Sequence, residues 1–389
     1  MLRVLTLSSL FPDASRPNFG VFVERQTLGL AAHPDVALTV MAPLGVPPWP
    51  LSRHKHYRAF ADLPEREVWK GVEVLRPRFT VLPGTGGRYH VAAMQRAAWR
   101  AIAGQAFDVI DASFFFPDGP AAVGLGWALD LPVSIKARGA DIHHWGRARA
   151  TAAQVIEAGK AADGLLAVSR AMREDTAAIG IPAEKIRVHH TGVDLARFVP
   201  VDRMAAKAAL GVSGPLVVSI GALIARKGHD VVIDAVARLD GVTLLIAGEG
   251  EARPVLEARI ARLGLGERVR LLGSVPHGEL PALIAAADVM ALASSSEGLA
   301  NAWVEALACG TPIVITPAGG AEEVVTAPEA GRIVPREAGA FAAAIGELLA
   351  APPPAEAARA HALGFTWEAN TAALYDHLAG LVAARQARG

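Results

Sequence analysis

The sequence has a single cysteine, Cys309, among its 389 residues. One thiol excludes an internal disulfide and is typical of a protein in a reducing compartment. We expect Cys309 to be a small buried side chain in a helix rather than a catalytic or metal-binding thiol. No apolar run approaches the ~18 residues that a membrane-spanning helix needs. The opening residues, MLRVLTLSSLFPD, are more typical of a β-strand than of a signal peptide, so we expect a cytoplasmic protein.

Net charge is also absent, because 38 Lys+Arg balance 38 Asp+Glu. This balance argues against binding to nucleic acid. The charge is unevenly spread, however, and residues 53–100 carry ten basic side chains against four acidic ones. Two alternatives stay open for the basic side chains of this stretch: a surface that faces anionic lipid at the inner face of the membrane, or an ordinary solvated surface. They include Arg53, Lys55, Arg58, Arg76 and Arg78.

Several catalytic and cofactor motifs are missing as well. There is no Walker lysine loop, no H-E-x-x-H and no G-x-S-x-G. The segment 247–253, AGEGEAR, comes nearest to a dinucleotide fingerprint, but Arg253 stands where the third glycine belongs. A nicotinamide-dependent oxidoreductase is therefore disfavoured.

What the chain does contain is an alternation of short β-branched runs with Ala-rich helical stretches, the pattern of βαβ units. It predicts two Rossmann-like, doubly wound α/β domains, at 1–199 and 200–365, with the boundary in FVPVD at 198–202. For the final helix, at about 366–389, two alternatives stay open: it finishes the second domain, or it packs back on the first. The predicted strands are RVLTLSS, ALTVMAP, EVLRPR, DVIDAS, PVSIKAR, GLLAVS and IRVHHT, then LVVSIGA, TLLIAGEG, VRLLGSV, VMALAS, TPIVIT and GRIVP.

The segment 297–314, EGLANAWVEALACGTPIV, places two acids in apolar surroundings. We expect the strand before it to end near Ser294 and a helix to run from Ala300 to Ala308. Amides at such a helix start form an anion pocket, and carboxylates accept hydrogen bonds from sugar hydroxyls, so the segment suggests a nucleotide-sugar site. The alternative makes Glu297 a helix-terminal charge and Glu305 an ordinary surface residue. The amides concerned are those of Gly298, Leu299, Ala300 and Asn301.

A second cluster follows the first strand of the second domain, in SIGALIARKG at 219–228. The turn at Gly221 leads to two adjacent cations, Arg226 and Lys227. At the carboxyl end of a strand they are placed to neutralise a diphosphate, Lys227 as a point charge and Arg226 as a fork. The alternative for each is a solvated surface charge.

With these segments the sequence resembles family 4 of the retaining glycosyltransferases. The motif E-x7-E within SSSEGLANAWVEALACGTPIVIT carries the resemblance, and it extends over nearly the whole chain, including LSSLFPDASRPNFGVFVERQ and TGVDLARFVP. The resemblance implies a GT-B fold, in which two Rossmann-like domains face each other across a cleft. It also implies transfer of a sugar, with retention, from a nucleoside-diphosphate sugar to an acceptor hydroxyl. Within the family, the chain is most similar to bacterial enzymes of teichuronic-acid or exopolysaccharide synthesis.

The resemblance also implies roles for matching residues. It gives Glu305 to the ribose hydroxyls of the donor, Glu297 to the transferred sugar, and 298–301 to the sugar and the diphosphate. It gives Lys227 to the diphosphate as well. No D-x-D pair stands in a suitable loop, so no metal or other cofactor is expected, and the nucleotide sugar is a substrate.

Two positions depart from the family pattern. Ala222 stands where an arginine is usual, so either Arg226 replaces that charge or the phosphates are held differently. Arg138, in ARGAD, stands where many members have a histidine near the reacting sugar. Arginine cannot accept a proton at neutral pH, so Arg138 is expected to contact a donor hydroxyl or phosphate. Asp141 either orients Arg138 or caps the next helix.

The amino-terminal loop is the last predicted part of the site. Gly20, in Asn18-Phe19-Gly20, either lets the backbone approach the diphosphate or is a simple turn glycine. The acceptor is expected to be a carbohydrate or a lipid-linked molecule, read by the amino-terminal domain. Two other functions stay open: a GT-B nucleotide-sugar epimerase, and a catalytically silent subunit that binds a sugar nucleotide.

Overall fold

The structure is a computed structural model that describes residues 1–17 and 19–388, with the side chains of Lys55 and His56 outside the description. The predicted loop residue Asn18 lies outside the described residues. The strands are β1 (Leu2–Leu7), β2 (Val36–Met41), β3 (Leu44–Val46), β4 (Arg66–Trp69), β5 (Val72–Leu75), β6 (Arg78–Thr80), β7 (Val109–Ala112), β8 (Val133–Ala137), β9 (Gly164–Ala167), β10 (Ile186–Val188), β11 (Leu216–Ile220), β12 (Thr243–Ala247), β13 (Val269–Gly273), β14 (Val289–Leu292), β15 (Ile313–Ile315) and β16 (Gly331–Ile333).

Helices alternate with these strands, as the sequence pattern predicts. The helices are α1 (Val21–Ala31), α2 (Lys55–Ala61), α3 (His90–Ala101), α4 (Asp118–Leu129), α5 (Ala152–Ala161), α6 (Arg170–Ala178), α7 (Arg203–Ala209), α8 (His229–Val236), α9 (Arg253–Arg262), α10 (Leu280–Ala286), α11 (Asn301–Ala308), α12 (Ala321–Val324), α13 (Ala338–Ala350), α14 (Ala355–Ala360) and α15 (Trp367–Gln386). The chain divides into two compact units, Met1–Thr191 with Trp367–Gly389, and Gly192–Thr366.

The first unit is built on one eight-stranded sheet in the order β10-β9-β8-β7-β1-β2-β5-β4. Its strands are parallel except β4, which pairs with β5 in antiparallel register. The strands β7, β8 and β9 are buried along their whole length, as in a sheet that is covered on both faces. α1 and α15 pack together on one face, where Leu374 and Leu378 of α15 meet Val4 and Val109 of the sheet. Of the two alternatives for the final helix, the structure therefore has the one in which it packs on the first unit.

The second unit is built on a six-stranded, wholly parallel sheet in the order β13-β12-β11-β14-β15-β16. Its core lies between this sheet and helices α8, α9 and α13, and includes Val217, Leu244, Val289 and Phe341. The carboxyl ends of β12, β11, β14 and β15 are neighbours at one edge, which is where open parallel sheets bind ligands.

The division of the chain differs in place from the predicted boundary at 199/200. Residues 192–198 lie with the second unit because their backbone is fixed there. Val193 forms a parallel bridge with Thr366, and Arg359 donates to the carbonyl oxygens of Leu195 and Phe198 at 2.8 and 2.6 Å. Three short strands of the first unit, β3, β4 and β6, were not among those predicted. β4 is an exposed edge strand, and a strand of three or four residues is too short to show an alternation.

Candidate functional site

An ion pair joins two loops at the end of the second sheet that is formed by the carboxyl ends of its strands. Nζ of Lys227, after β11, donates to Oε1 of Glu297, after β14, at 2.5 Å. The side chains are 15% and 8% exposed, so both charges are largely removed from water and depend on each other. β11 and β14 are adjacent parallel strands, so the sheet itself brings together two residues that are 70 positions apart.

Arg226 reaches the same loop from the same side. Its Nη1 donates to the carbonyl oxygen of Ser296 and lies 3.7 Å from Oε2 of Glu297, and its own carbonyl accepts the N–H of Ser295 at 2.8 Å. The guanidinium is 41% exposed, which leaves it within reach of solvent and of a ligand. The predicted contact of Arg226 with a diphosphate stays a prediction.

The turn that carries Lys227 is closed by glycines. The N–H of Gly221 donates to the carbonyl of Ala247 at 3.0 Å, and Gly228 has a φ of 69° at the start of α8. A Cβ on Gly228 would overlap the carbonyl oxygen of Ala293, the residue just after β14. The two loops therefore approach each other more closely than any residue with a side chain would allow.

α11 starts at Asn301, one residue after the predicted start, and ends at Ala308 as predicted. Leu299 and Ala300 point their side chains into the protein and are 7% and 8% exposed, so this stretch offers a ligand its backbone. The first amides of a helix have no intrahelical acceptor and carry the positive end of its dipole. The preceding strand, β14, ends at Leu292, two residues before the predicted end.

A loop after β15 contacts the residues just before α11. The sequence did not predict this loop as part of the site. Gly320 donates its N–H to the carbonyl of Gly298 at 2.8 Å. Gly319 has a φ of 54°, and a Cβ there would overlap the carbonyl oxygens of Glu297 and Gly298. The Gly-Gly pair after a buried strand was the signal that could have revealed this contact.

Glu305 is a buried residue of α11, not the ordinary surface residue that the alternative required. Its Oε1 accepts a hydrogen bond from Nε2 of His277 at 2.7 Å, and the two side chains are 5% and 18% exposed. His277 follows the end of β13 and was missed in the sequence. The signal that could have found it was a polar residue just beyond the carboxyl end of a strand.

A buried histidine, His229, begins α8 beside Lys227. Its Nδ1 lies 2.9 Å from Oγ of Ser219, and burial lowers the pKa of its ring to about 4. The ring is therefore neutral at pH 7 and adds no charge next to Lys227. Cys309 is buried too, and burial raises the pKa of its thiol to about 12, which fits an inert core residue.

Arg138 lies in the first unit, at the carboxyl end of β8. Its Nε donates to the carbonyl of Ser113 at 2.7 Å, and its Nη2 lies 3.3 Å from Oε1 of Gln26. Burial lowers the pKa of Arg138 to about 10, so the guanidinium keeps its charge at pH 7. Its role in catalysis stays a prediction.

Asp141 fixes backbone rather than the Arg138 guanidinium. Its carboxylate accepts the N–H groups of Phe115, Arg138 and Gly139, at 3.1, 3.0 and 2.7 Å. The residue opens a single π-helical turn, Asp141–Trp145, so it holds together the loops after β7 and β8. Neither predicted alternative describes these contacts, because the bound N–H groups precede the turn or lie in another loop, and the turn has no side-chain cap.

Gly20 is the residue before α1 and has a φ of 66°. A Cβ at this position would overlap the carbonyl oxygen of Leu10, in the loop after β1. Packing against Leu10 therefore requires a glycine at position 20. The contact of Gly20 with a diphosphate stays a prediction.

One member of the predicted basic stretch is buried, contrary to the surface interpretation, and a second is partly exposed but bound to the protein's own carbonyl oxygens. Arg76 is fully buried, with Nε on Glu67 at 2.5 Å and Nη2 on the carbonyl of Pro12 at 2.8 Å. Arg78 donates to the carbonyl oxygens of the α2 end, among them Phe60 at 3.0 Å. Arg53 and Arg58 are exposed. In the described part of the chain, no helix is long and apolar enough to cross a membrane.

Two family models match the chain, one in each half. "Glycosyltransferase Family 4" matches residues 49–197, and "Glycosyl transferases group 1" matches residues 202–363. A curated relative, D-inositol 3-phosphate glycosyltransferase of Mycobacterium tuberculosis, is 40% identical over 209 residues. The match covers 50% of this chain and 44% of the relative, so it spans less than half of the relative's length.

Solved structures resemble the chain over almost its full length. Sucrose-phosphate synthase from Thermosynechococcus elongatus has a TM-score of 0.82 at 21% identity, covering 99% of this chain and all of its own. HepE from Anabaena, in complex with UDP-glucose, has a TM-score of 0.76 at 20% identity, covering 98% of this chain and all of its own. At these identities the likeness shows the fold alone. The two family models, which together leave little of 49–363 unmatched, place the chain in the glycosyltransferases of family 4 and group 1, with the GT-B fold predicted for it.

Proposed function

We propose that the protein transfers a sugar, with retention, from a nucleoside-diphosphate sugar to an acceptor hydroxyl. The observation that supports this most directly is the Lys227–Glu297 pair at the start of α11. A cation, a row of helix-start amides and two buried carboxylates are the groups that a diphosphate and its two sugars require. The matching family and the solved relative in complex with UDP-glucose support the same class of donor.

In the proposed reaction the bond between the anomeric carbon and the diphosphate oxygen breaks, and a bond to the acceptor oxygen forms on the same face. The acceptor's proton goes to the departing phosphate. Lys227 and the amides of 298–301 stabilise the charge that develops on the leaving group. We therefore propose that no divalent metal is needed, and isolation of a covalent glycosyl-enzyme would overturn the same-face mechanism.

The binding test compares two lysines that are equally exposed and are each paired with a carboxylate. Lys207 pairs with Asp288 at 2.5 Å and is 15% exposed, as Lys227 is, but Asp288 precedes β14 and so lies at the opposite edge of the sheet. UDP, GDP, ADP and their glucose conjugates are titrated against each variant. We expect Lys227→Met to weaken binding of the preferred nucleotide about tenfold to a hundredfold, because it removes a charge-assisted contact. Lys207→Met should leave it unchanged.

Turnover separates the alternatives. We expect slow hydrolysis of the bound donor, retained in EDTA and lost in Glu297→Gln. Release of free, epimerised nucleotide sugar would favour an epimerase, and binding without any turnover would favour a silent subunit. If no nucleotide binds to the wild type, the proposed function is wrong.

For the acceptor we propose a carbohydrate or lipid-linked hydroxyl bound by the first unit, in synthesis of a bacterial surface polysaccharide at the inner face of the membrane. Support comes from a surface whose exposed apolar and cationic side chains suit binding to an anionic bilayer. Trp49 and Leu51 are 72% and 51% exposed. Beside them lies a groove of about 610 Å³ that is lined by Arg53, Arg58 and Arg78.

A further inference from the structure

The carboxylate of Glu305 is buried and is hydrogen-bonded to a histidine from another loop. Oε1 of Glu305 is 2.7 Å from Nε2 of His277, and the Glu305 side chain is only 5% exposed. A buried carboxylate needs hydrogen-bond donors, and the ring supplies one from a different loop. An ionised carboxylate accepts about four hydrogen bonds through two oxygens, so one donor leaves acceptor capacity for a ligand.

His277 is itself fixed from behind. Nη2 of Arg197 donates to the His277 carbonyl at 2.8 Å, and the ring of Phe198 lies 5.6 Å from the His277 ring, centroid to centroid. Phe198 is fully buried, and its carbonyl accepts Nη1 of Arg359 at 2.6 Å. Arg197 and Phe198 belong to the segment TGVDLARFVP, which therefore fixes the position of the ring that holds Glu305.

We propose that His277 is a positioning residue, whose Nε2–H fixes the Glu305 carboxylate in the orientation that accepts the vicinal hydroxyls of the donor's ribose. With Oε1 held, the carboxylate cannot turn about its last torsion, so its remaining lone pairs keep one direction. Binding then loses less conformational entropy. This inference rests on the proposed function, which gives the nucleotide to the second unit.

A purely structural role for His277 makes a different prediction. A ring that only satisfies a buried carboxylate would change stability, and would change the affinity for every nucleotide alike. A ring that aims the carboxylate at ribose changes only the affinity for nucleotides with ribose hydroxyls. The test therefore measures discrimination between hydroxylated and deoxygenated nucleotides rather than affinity alone.

The experiment is calorimetric titration of the full chain with UDP, GDP and ADP, each beside its 2′,3′-dideoxy counterpart. We expect the wild type to bind the preferred ribonucleotide about tenfold tighter than the dideoxy form, from hydrogen bonds to a charged group. His277→Ala should reduce that ratio to about twofold while leaving affinity for the dideoxy form unchanged, as should Glu305→Gln. His361→Ala is the control, since Nδ1 of His361 bonds Oγ1 of Thr326 in the same unit.

Two further variants keep the test valid if His277→Ala unfolds. Gln places an amide nitrogen near the position of Nε2, and Asn places one near Nδ1. His277→Gln should therefore restore the ratio to within about threefold of wild type, and His277→Asn should not. Tenfold discrimination that persists in folded His277→Ala or His277→Asn would overturn the inference and leave the proposed function intact. A wild type that binds nucleotides without discrimination also overturns it, and a wild type that binds none overturns both.

Discussion

At the scale of single residues, the first unit buries carboxyl groups that do not behave as ordinary aspartates. Burial raises the pKa of Asp118 to about 7 and that of Asp111 to about 6. Oδ2 of Asp118 accepts the N–H of Ser9 at 2.9 Å, which is too little to offset the loss of water. The folded protein therefore holds protons that the unfolded chain has released.

We expect Asp118→Asn to stabilise the protein more at pH 8 than at pH 5. A folded pKa above the unfolded value of 3.8 gives stability that is present below pH 4 and is lost as pH rises through about 7. The amide has no such loss, so its advantage should grow by on the order of 2 kcal/mol between pH 5 and pH 8. Urea unfolding at both pH values measures this difference.

The exposed Asp130 supplies the matched control, Asp130→Asn, whose effect should be the same at both pH values. Burial lowers the pKa of His229 and His377 to about 4. The stability that these neutral rings give the folded protein is therefore lost as pH falls from about 6.5 through 4. That change is common to all variants and cancels in the comparison. An Asp118→Asn effect independent of pH would mean that Asp118 is ionised throughout.

Sequence reasoning identified some residues of the site and could not identify others. Glu297 and Lys227 stand in local motifs, so their places could be predicted from a strand, a turn and a helix. His277 and Gly319 act through contacts with segments 20 or more positions away, at Glu305 and at Glu297. Arg76 looked like one basic residue among ten, and only the fold shows that it is buried.

At the scale of elements, the second unit's site depends on how closely the loop before α8 approaches the end of β14. Gly228 stands at this contact with a φ of 69°. Gly241 has a φ of 70° but has nothing within 4 Å of an added Cβ. The two glycines therefore separate the cost of backbone conformation from the cost of a collision.

We expect Gly241→Ala to destabilise the protein by about 1–2 kcal/mol, from the left-handed conformation alone. Gly228→Ala must also displace the Ala293 carbonyl, so it should cost at least about 2 kcal/mol more and also weaken nucleotide binding by moving Lys227. Thermal unfolding and nucleotide titration of the two variants provide the measurement. Equal losses in both variants would show that the approach of the two loops is not constrained.

Element positions were predictable where a hydrophobic pattern was long enough. All six strands of the second sheet were expected, and α11 differs from its predicted start by one residue. β3, β4 and β6 were not expected, because each has at most four residues and two of them pair only with each other. Such strands are specified by their partners rather than by their own alternation.

At the scale of the whole molecule, the two units are not two successive halves of the chain. α15 belongs to the first unit, where Leu374 and Leu378 complete a core with residues more than 200 positions earlier. Nε2 of His377 also lies 3.1 Å from Oγ of Ser134. The apolar residues of α15 do not indicate which of the two cores they cover. The sequence therefore left both packing alternatives for this helix open.

The proposed membrane contact is a property of one surface of the first unit. Trp49 and Leu51 are exposed, as are Arg53 and Arg58, so one short segment of the chain presents both apolar and cationic groups to solvent. Aromatic side chains favour the interface of a bilayer, and each basic residue near an anionic surface contributes about 1 kcal/mol. Because Arg76 is buried and Arg78 already donates to carbonyl oxygens of the protein, the apolar pair has to supply a large part of the binding.

We therefore expect the double variant Trp49→Ser with Leu51→Ser to sediment at least about fivefold less with phosphatidylglycerol vesicles than the wild type does. Trp127, which is 74% exposed elsewhere in the first unit, supplies the control Trp127→Ser, which should sediment like the wild type. Binding should also fall with added salt and be weak to phosphatidylcholine alone, because the arginines respond to anionic headgroups. If the double variant and the control sediment equally, the Trp49 surface is not the membrane contact, and Arg53 and Arg58 are solvated charges.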